Sequence, residues 1–275
     1  MPDWRNWSRS VRCSPRRIIT PATEPDLAAL VKGALGPDLP IRVVGSGHSY
    51  SPLVATTGTI LSLDHIRGIL QVDPAGPTAT LGAGGKIHRL GQPLRDQDLA
   101  LMNQGDVDYQ AVAGALATAT HGTGITLPCL SAGIVGMRLV LADGSILELT
   151  DSGDRDTLRA AKCHLGCLGV ATAVTLRLRP AYRLRDETRV RPLEDVLQEL
   201  PTLIHEHRHV EGWWFPHADV IGLRTMTETD APVNDKPFGR WLKEMVVGNV
   251  AFGAIALFTR LPGMAGHPRQ PGDRK

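Results

Sequence analysis

The pattern of apolar and polar positions predicts a chain rich in short strands up to about residue 180. Ile41–Val44 is an apolar, β-branched run, which is typical of a buried strand. Three similar runs, separated by Asp, Pro and Gly residues, predict further strands at Thr59–Leu63, Ile69–Val72 and Thr78–Leu81.

Two later segments extend the predicted sheet structure. Ile134–Leu141 and Ser145–Leu149 flank Asp143-Gly144, a strong turn signal, and therefore predict a hairpin. Val170–Leu178 alternates apolar with polar residues, as expected of a strand with one buried face.

Helices are predicted between some of these strands. The first runs from about Leu27 to Leu35, with Thr23 as its cap and Gly36-Pro37 as its stop. The second covers Lys86–Gln97, with Pro93 inside it as a point where it can kink.

Composition changes after Arg179-Pro180, where arginine, glutamate and histidine become frequent and an amphipathic helix is predicted near Leu193–His205. We therefore expect a first domain over 1–179 and a second, partial domain over 180–261. Residues 262–275 are rich in Gly, Pro and Arg without periodicity, so we expect a disordered tail there.

Charge and cysteine content limit the possible partners and location. The 275 residues carry 30 basic and 28 acidic side chains, a balance that does not indicate a nucleic-acid partner. The four cysteines favour a reducing compartment, and the polar, basic N-terminal residues do not form a signal peptide. The most apolar late segment, Val246–Leu257, is too short to span a bilayer. We expect a cytoplasmic protein without a transmembrane segment.

No metal site is expected. Cys163 and Cys167 bracket His164, but a metal bound there would need further ligands nearby. His65, His88 and His164 have no spacing that suggests another kind of site. Trp213 and Trp214 are expected to pack in a core or at a domain interface.

The most informative motif is the loop that follows the strand at Ile41–Val44. In Val43-Val44-Gly45-Ser46-Gly47-His48-Ser49, two glycines and two serines offer closely spaced backbone N–H groups, which can cradle a phosphate. A dinucleotide fingerprint of the nicotinamide type would next need a third glycine and a helix. Here Pro52 follows, so we expect the chain to continue as a loop and exclude that fold.

A second segment, Gly114–Gly124, consists mostly of alanine, glycine and threonine. Its small side chains would let a flat or elongated ligand lie against the backbone, with three threonines and His121 as polar groups. Ala119 and Gly122 would then be small because the ligand contacts them. The alternative is a tightly packed helix-to-turn segment in which His121 is structural, and the segment alone leaves both interpretations open.

Four motifs occur in order along the chain: VVGSGHSYSPL, LSLDHIRGI, QGDVDYQAVAGALATATHGTG and LGCLGVATAVTLRLRP. Together they resemble the flavin-binding half of the FAD-linked sugar-lactone and alditol oxidases. The resemblance runs from about Trp4 to Pro180 and more weakly through Trp213–Asp219. It implies an α+β fold, with a two-lobed FAD-binding domain of the vanillyl-alcohol-oxidase type followed by a partial α+β substrate domain.

The resemblance also assigns cofactor-binding roles. Backbone N–H groups of the loop would wrap the pyrophosphate of FAD, from Val43, Val44, Gly45, Ser46, Gly47, His48 and Ser49. A second group would line the FAD, with the main chain of Val170 at the adenine end: Asp106, Ala111, Gly114, Thr118, Ala119, Thr120, His121 and Val170. His48 stands where many members carry a histidine bonded covalently to the flavin, and the alternative is a noncovalent contact.

The function implied is that of an FAD-dependent oxidoreductase of the D-arabinono-1,4-lactone oxidase type. It would oxidise a small sugar-derived alcohol, an aldonolactone or an alditol, by hydride transfer to the flavin, which oxygen or another acceptor would reoxidise. Nothing after about Phe258 resembles the family's C-terminal part, so no catalytic residue is assigned. The alternatives are a flavin-binding protein with little or no turnover, because that substrate half is missing, and a binding module without flavin.

Overall fold

The computed structural model describes residues 2–34 and 38–233. The predicted helix stop at Gly36-Pro37, the apolar segment Val246–Leu257 and the predicted tail over 262–275 lie outside the described residues. The chain divides into two compact units, Met1–Ala181 and Tyr182–Lys275. In the part of the chain that is described, no helix is both long and apolar enough to cross a membrane.

The first unit begins with a two-stranded ribbon and a three-stranded parallel sheet. The ribbon pairs β1 (Trp4–Arg5) with β2 (Arg12–Cys13), and the sheet places β5 (Thr59–Ser62) between β3 (Arg17–Ile19) and β4 (Ile41–Val44). Parallel strands need long connections, and helix α1 (Glu24–Lys32) lies in the one between β3 and β4. Residues 45–58 after β4 form a loop, as the position of Pro52 predicts.

The larger sheet of this unit is antiparallel. Its strands follow the order β10-β9-β11-β7-β6, and β8 pairs with the C-terminal end of β11. Their bounds are β6 (Ile69–Asp73), β7 (Thr78–Gly82), β8 (Leu99–Leu101), β9 (Ile134–Val140), β10 (Ile146–Thr150) and β11 (Val170–Pro180). The predicted hairpin is β9 with β10, and Gly144 in its turn has a φ of +82°, a value that favours glycine.

Strand β11 is buried on both faces along Val170–Val174, so the prediction of a single buried face is wrong there. One face packs in the large core with apolar residues of helices on that side, and Val170 packs on the other side with Leu27 of α1. The prediction failed because Thr172 is polar and was taken to face solvent. Thr172 is in fact buried, and its hydroxyl donates to the Glu24 carboxylate of α1.

Helix α1 begins three residues before the predicted start. Thr23 caps it as predicted: its hydroxyl accepts from the Asp26 backbone N–H at 3.2 Å, and the Asp26 carboxylate accepts from the Thr23 N–H at 3.1 Å. The helix ends at Lys32, and Gly33 is its C-cap.

The long helix predicted over Lys86–Gln97 is wrong in extent. A 3₁₀ turn at Ile87–Arg89 precedes a short α2 (Gly91–Arg95). The helix cannot start at Lys86 because Lys86 has extended backbone that bridges to Ala111. The other helices of this unit are α3 (Val112–Ala117) and α4 (Arg155–Ala161).

The second unit contains a three-stranded antiparallel sheet in the order β12-β14-β13 and one long helix. The elements are β12 (Leu184–Pro192), α5 (Leu193–Glu206), β13 (His209–Trp214) and β14 (Val220–Glu228). Helix α5 matches the predicted amphipathic helix to within one residue. Trp213 and Trp214 are 45% and 48% exposed, so they are not core residues of this unit.

The capping interactions of α1 lead to a stability prediction. We expect Thr23→Ala to lower the free energy of unfolding by about 1 kcal/mol, because it leaves a helix N–H without its acceptor. Thr23→Ser is the control, since serine keeps the hydroxyl. Equilibrium unfolding in urea measures both, and equal stability of the alanine variant and the parent would contradict the prediction.

Candidate functional site

A cavity of about 570 Å³ opens in the first unit, a volume in the usual range for small-molecule and cofactor sites. Its walls come from β4 with the loop after it, from α3 and from the residues that follow β5 and β7. The C-terminal end of β9 and the N-terminal end of β11, each with its adjoining loop, also line it. It brings together eleven of the predicted site residues: Val43, Val44, Gly45, Ser46, Gly47, His48, Ser49, Ala111, Gly114, Thr118 and Val170.

Two glycines let the loop after β4 lie tightly against its neighbours. A Cβ on Gly45 would stand 2.7 Å from the Cβ of Ala111, so only glycine permits this approach. Gly47 has a φ of +67°. The Ser46 hydroxyl donates to the Tyr109 carbonyl oxygen at 2.5 Å and joins the loop to the segment before α3.

The N-terminal segment holds the loop on both sides of His48. The Trp7 backbone N–H donates to the Gly47 carbonyl at 2.8 Å, and the buried Asn6 amide donates to the Ser49 carbonyl at 3.0 Å. The ring centroids of Trp7 and His48 are 5.5 Å apart. Because both flanking carbonyls are bonded, the His48 backbone is fixed at the cavity wall.

Helix α3 presents small residues to the cavity. A Cβ added to Gly114 would meet nothing within 4 Å, although Gly114 lies in a helix. Thr118, one turn later, donates its hydroxyl to the Gly114 carbonyl at 2.9 Å. Packing of the protein itself therefore does not require a glycine at 114, whereas a ligand lying on this face of α3 would.

The second half of the Gly114–Gly124 segment has a structural reason for its small residues. A Cβ on Gly122 would stand 2.2 Å from the Gln104 carbonyl oxygen, and Ala119 has a φ of +54°. His121 Nδ1 lies 2.9 Å from the Gly122 carbonyl oxygen. Four predicted residues do not line this cavity: Asp106, Ala119, Thr120 and His121.

The turn after β7 is a wall of the site that the sequence patterns did not indicate. Gly84 lines the cavity, and a Cβ there would stand 1.8 Å from the Leu63 carbonyl oxygen. The Gly84-Gly85 pair, which begins three residues after the predicted strand Thr78–Leu81, was the signal that could have found it. Asp64, which also lines the cavity, pairs with Lys86 at 3.0 Å. Burial acts to raise the pKa of Asp64, but hydrogen bonds from Lys86 and Ser62 outweigh it and lower that pKa.

The loop between α4 and β11 also lines the cavity, through His164–Gly169, and no site role was predicted for these residues. His164 is therefore not an ordinary surface histidine. Burial lowers its pKa below the usual value, so its imidazole is neutral at neutral pH. In the described residues, no three His, Cys, Asp or Glu side chains are grouped so that they could hold a metal ion.

Solved structures share this fold. A variant of cholesterol oxidase from Brevibacterium sterolicum superposes with a TM-score of 0.74 at 21% identity, covering 92% of this chain and 55% of that one. A second structure of cholesterol oxidase from the same organism gives a TM-score of 0.73 at 24% identity, with 86% and 48% covered. The chain therefore has the fold of these two structures, which confirms the predicted fold class.

Two segments of the sequence match known protein families. Residues 15–150 match the family described as FAD binding domain, and residues 174–264 match the family described as D-arabinono-1,4-lactone oxidase. These two matches cover most of the chain, and they confirm the resemblance seen in its motifs. Over these two segments the chain is similar to the FAD-linked sugar-lactone oxidases.

Curated relatives carry matching names. L-gulono-1,4-lactone dehydrogenase of Mycobacterium tuberculosis is 37% identical over 96% of this chain. L-gulonolactone oxidase of Bos taurus is 29% identical over 96% of it, and D-arabinono-1,4-lactone oxidase of Yarrowia lipolytica is 29% identical over 94%. The chain spans 61%, 60% and 50% of these three relatives' own lengths.

Substitutions at Gly114 and Gly122 distinguish a contact with a ligand from a packing requirement of the protein itself. We expect Gly114→Leu to fold normally but to lose FAD, because its side chain enters open space in the cavity. We expect Gly122→Ala to destabilise the protein by ~1–3 kcal/mol even without FAD, because its Cβ meets the Gln104 backbone.

Urea unfolding of the FAD-free proteins and flavin absorbance of the purified ones measure the two effects. If Gly114→Leu retained its full flavin content, α3 would not lie against the cofactor. A Gly122→Ala variant as stable as the parent would contradict the packing argument.

Proposed function

We propose that this protein is an FAD-dependent oxidoreductase that oxidises a sugar-derived alcohol, an aldonolactone or an alditol. The observation that carries the proposal is the cavity built on the loop Val43–Ser49, which lies inside the segment matching the FAD binding domain. The match of 174–264 to D-arabinono-1,4-lactone oxidase and the names of the curated relatives support the substrate class.

The residues present fit FAD. Backbone N–H groups near Gly45 and Gly47 would bind the pyrophosphate, which needs the close approach that glycine allows. The open space at Gly114 leaves room for a flat ring system against α3. The cavity lining near Val170 would hold the adenine end. Bound FAD would supply the acceptor for a hydride from the substrate carbon that bears the hydroxyl group.

The chain's own residues would bind and orient the cofactor. The contacts of Asn6 and Trp7 hold the loop around His48, and the Ser46 hydroxyl bond to Tyr109 fixes the same loop against the segment before α3. A loop held in this way loses little conformational entropy when FAD binds, and this preorganisation favours affinity.

The finer proposal is that His48 holds the flavin covalently. A neutral His48 imidazole nitrogen would form a C–N bond to the 8α-methyl carbon of the flavin ring, with loss of one proton from that carbon. The imidazole would also lose its N–H proton, and dioxygen or another two-electron acceptor would take up the electron pair. The fixed backbone of His48 at the cavity wall supports this role, and the alternative is a noncovalent contact.

Acid precipitation tests the linkage. We expect the yellow chromophore of the parent protein to remain in the acid pellet, and that of His48→Ala to appear in the supernatant as free FAD. His205→Ala is the matched control, because His205 is an exposed histidine on α5. Release of free FAD from the parent would contradict covalent attachment and leave FAD binding intact.

Anaerobic reduction tests the activity. We expect L-gulono-1,4-lactone, D-arabinono-1,4-lactone or an alditol to bleach the flavin absorbance when oxygen is absent, because hydride transfer reduces the ring. Air or an artificial acceptor should restore the colour, and peroxide formed in air would identify oxygen as the acceptor.

Reduction with dithionite is the control that shows whether the bound flavin can be reduced at all. If dithionite bleached the flavin and none of the lactones or alditols did, the oxidase proposal would fail. The protein would then be a flavin-binding protein without turnover on these substrates.

A further inference from the structure

His164 is held rigidly in the loop between α4 and β11. The Gly166 backbone N–H donates to His164 Nδ1 at 3.1 Å, and the Cys167 N–H donates to the His164 carbonyl at 2.8 Å. Leu165 and Gly166 have φ values of +52° and +82°, so two successive left-handed residues turn the chain back on itself. The loop thus fixes the imidazole ring beside the cavity that it lines.

The bond from Gly166 determines the tautomer of the ring. Nδ1 must be unprotonated in order to accept that N–H, and burial lowers the pKa of His164, so the ring is neutral. The proton is therefore on Nε2. No described residue pairs with Nε2 of His164, so this N–H is a donor that a ligand in the cavity can use.

The position of the loop indicates which half of FAD would contact His164. Gly169 packs tightly on strand β9, since a Cβ there would stand 2.7 Å from the Val140 carbonyl oxygen. This part of the lining also contains Val140, Leu141 and Val170, whereas His48 lies on the loop after β4. If His48 contacts the flavin ring, the adenosine half is the part of FAD that remains for the wall at His164.

We propose that His164 is a recognition residue for the adenosine half of FAD, with its Nε2–H donating to an acceptor such as an adenine ring nitrogen or a ribose oxygen. This inference rests on the proposed FAD-binding function. It assigns a side-chain role to a loop that would otherwise act through its backbone, and it predicts that His164 affects FAD and ADP but not FMN, which lacks adenosine.

Three variants separate recognition from loop structure. His164→Asn keeps an acceptor near the Nδ1 position for Gly166 but removes the outer N–H, whereas His164→Gln keeps an outer N–H donor. His164→Ala removes both. All are made in the His48→Ala background, where FAD exchanges, and His88→Asn is the control because His88 is an exposed histidine outside the cavity lining.

Calorimetric titration of the flavin-free proteins with FAD, ADP and FMN measures the effect. We expect His164→Asn to bind FAD and ADP about tenfold more weakly, as for one lost hydrogen bond, with FMN affinity unchanged and urea stability close to that of the parent. We expect His164→Gln to recover most of the ADP affinity and His88→Asn to behave as the parent.

Three results would overturn the inference. Unchanged FAD and ADP affinity in His164→Asn would show that the side chain is not used. An equal loss for FMN, together with lower stability, would assign His164 a structural role in the loop. A parent that binds ADP but no flavin would refute the proposed function and leave adenosine recognition intact, whereas a parent that binds none of the three would refute both.

Discussion

Burial of strand β11 on both faces is the constraint on which the first unit depends. β11 pairs with β9, β7 and β8, so its backbone hydrogen bonds are made within the sheet. Apolar residues fill one side, and Thr172 is tolerated on the other because the Glu24 carboxylate accepts a hydrogen bond from its hydroxyl. The same strand brings Val170 and the loop that precedes it to the cavity.

The cavity itself depends on backbone segments that approach each other closely. Gly45 against Ala111 and Gly84 against the Leu63 carbonyl exclude any side chain, so these glycines are required by the fold. Gly114 differs because its surroundings are open. A glycine required by packing and one that leaves space for a ligand look alike in sequence, and only the distances around the absent Cβ distinguish them.

The N-terminal segment links the stability of the fold to the site. Asn6 is buried, and its side-chain amide makes two hydrogen bonds. Its NH2 group donates to the Ser49 carbonyl, and its Oδ1 accepts from the Val11 N–H at 3.0 Å. Since Asn6 and Trp7 hold the residues on both sides of His48, a short segment distant in sequence positions a loop of the cavity wall. Such contacts cannot be derived from local patterns, because they depend on how the chain returns to itself.

The sequence alone determined most of the strands, the cap at Thr23, the hairpin at Gly144 and the loop after β4, because these follow from local periodicity and backbone preference. It also indicated the resemblance to the FAD-linked sugar-lactone oxidases, through motifs in a fixed order. Only the tertiary structure decided that β11 is buried on both faces and that Gly122 serves packing. It also brought His164 to the cavity wall, because burial and proximity arise from contacts between residues far apart in the chain.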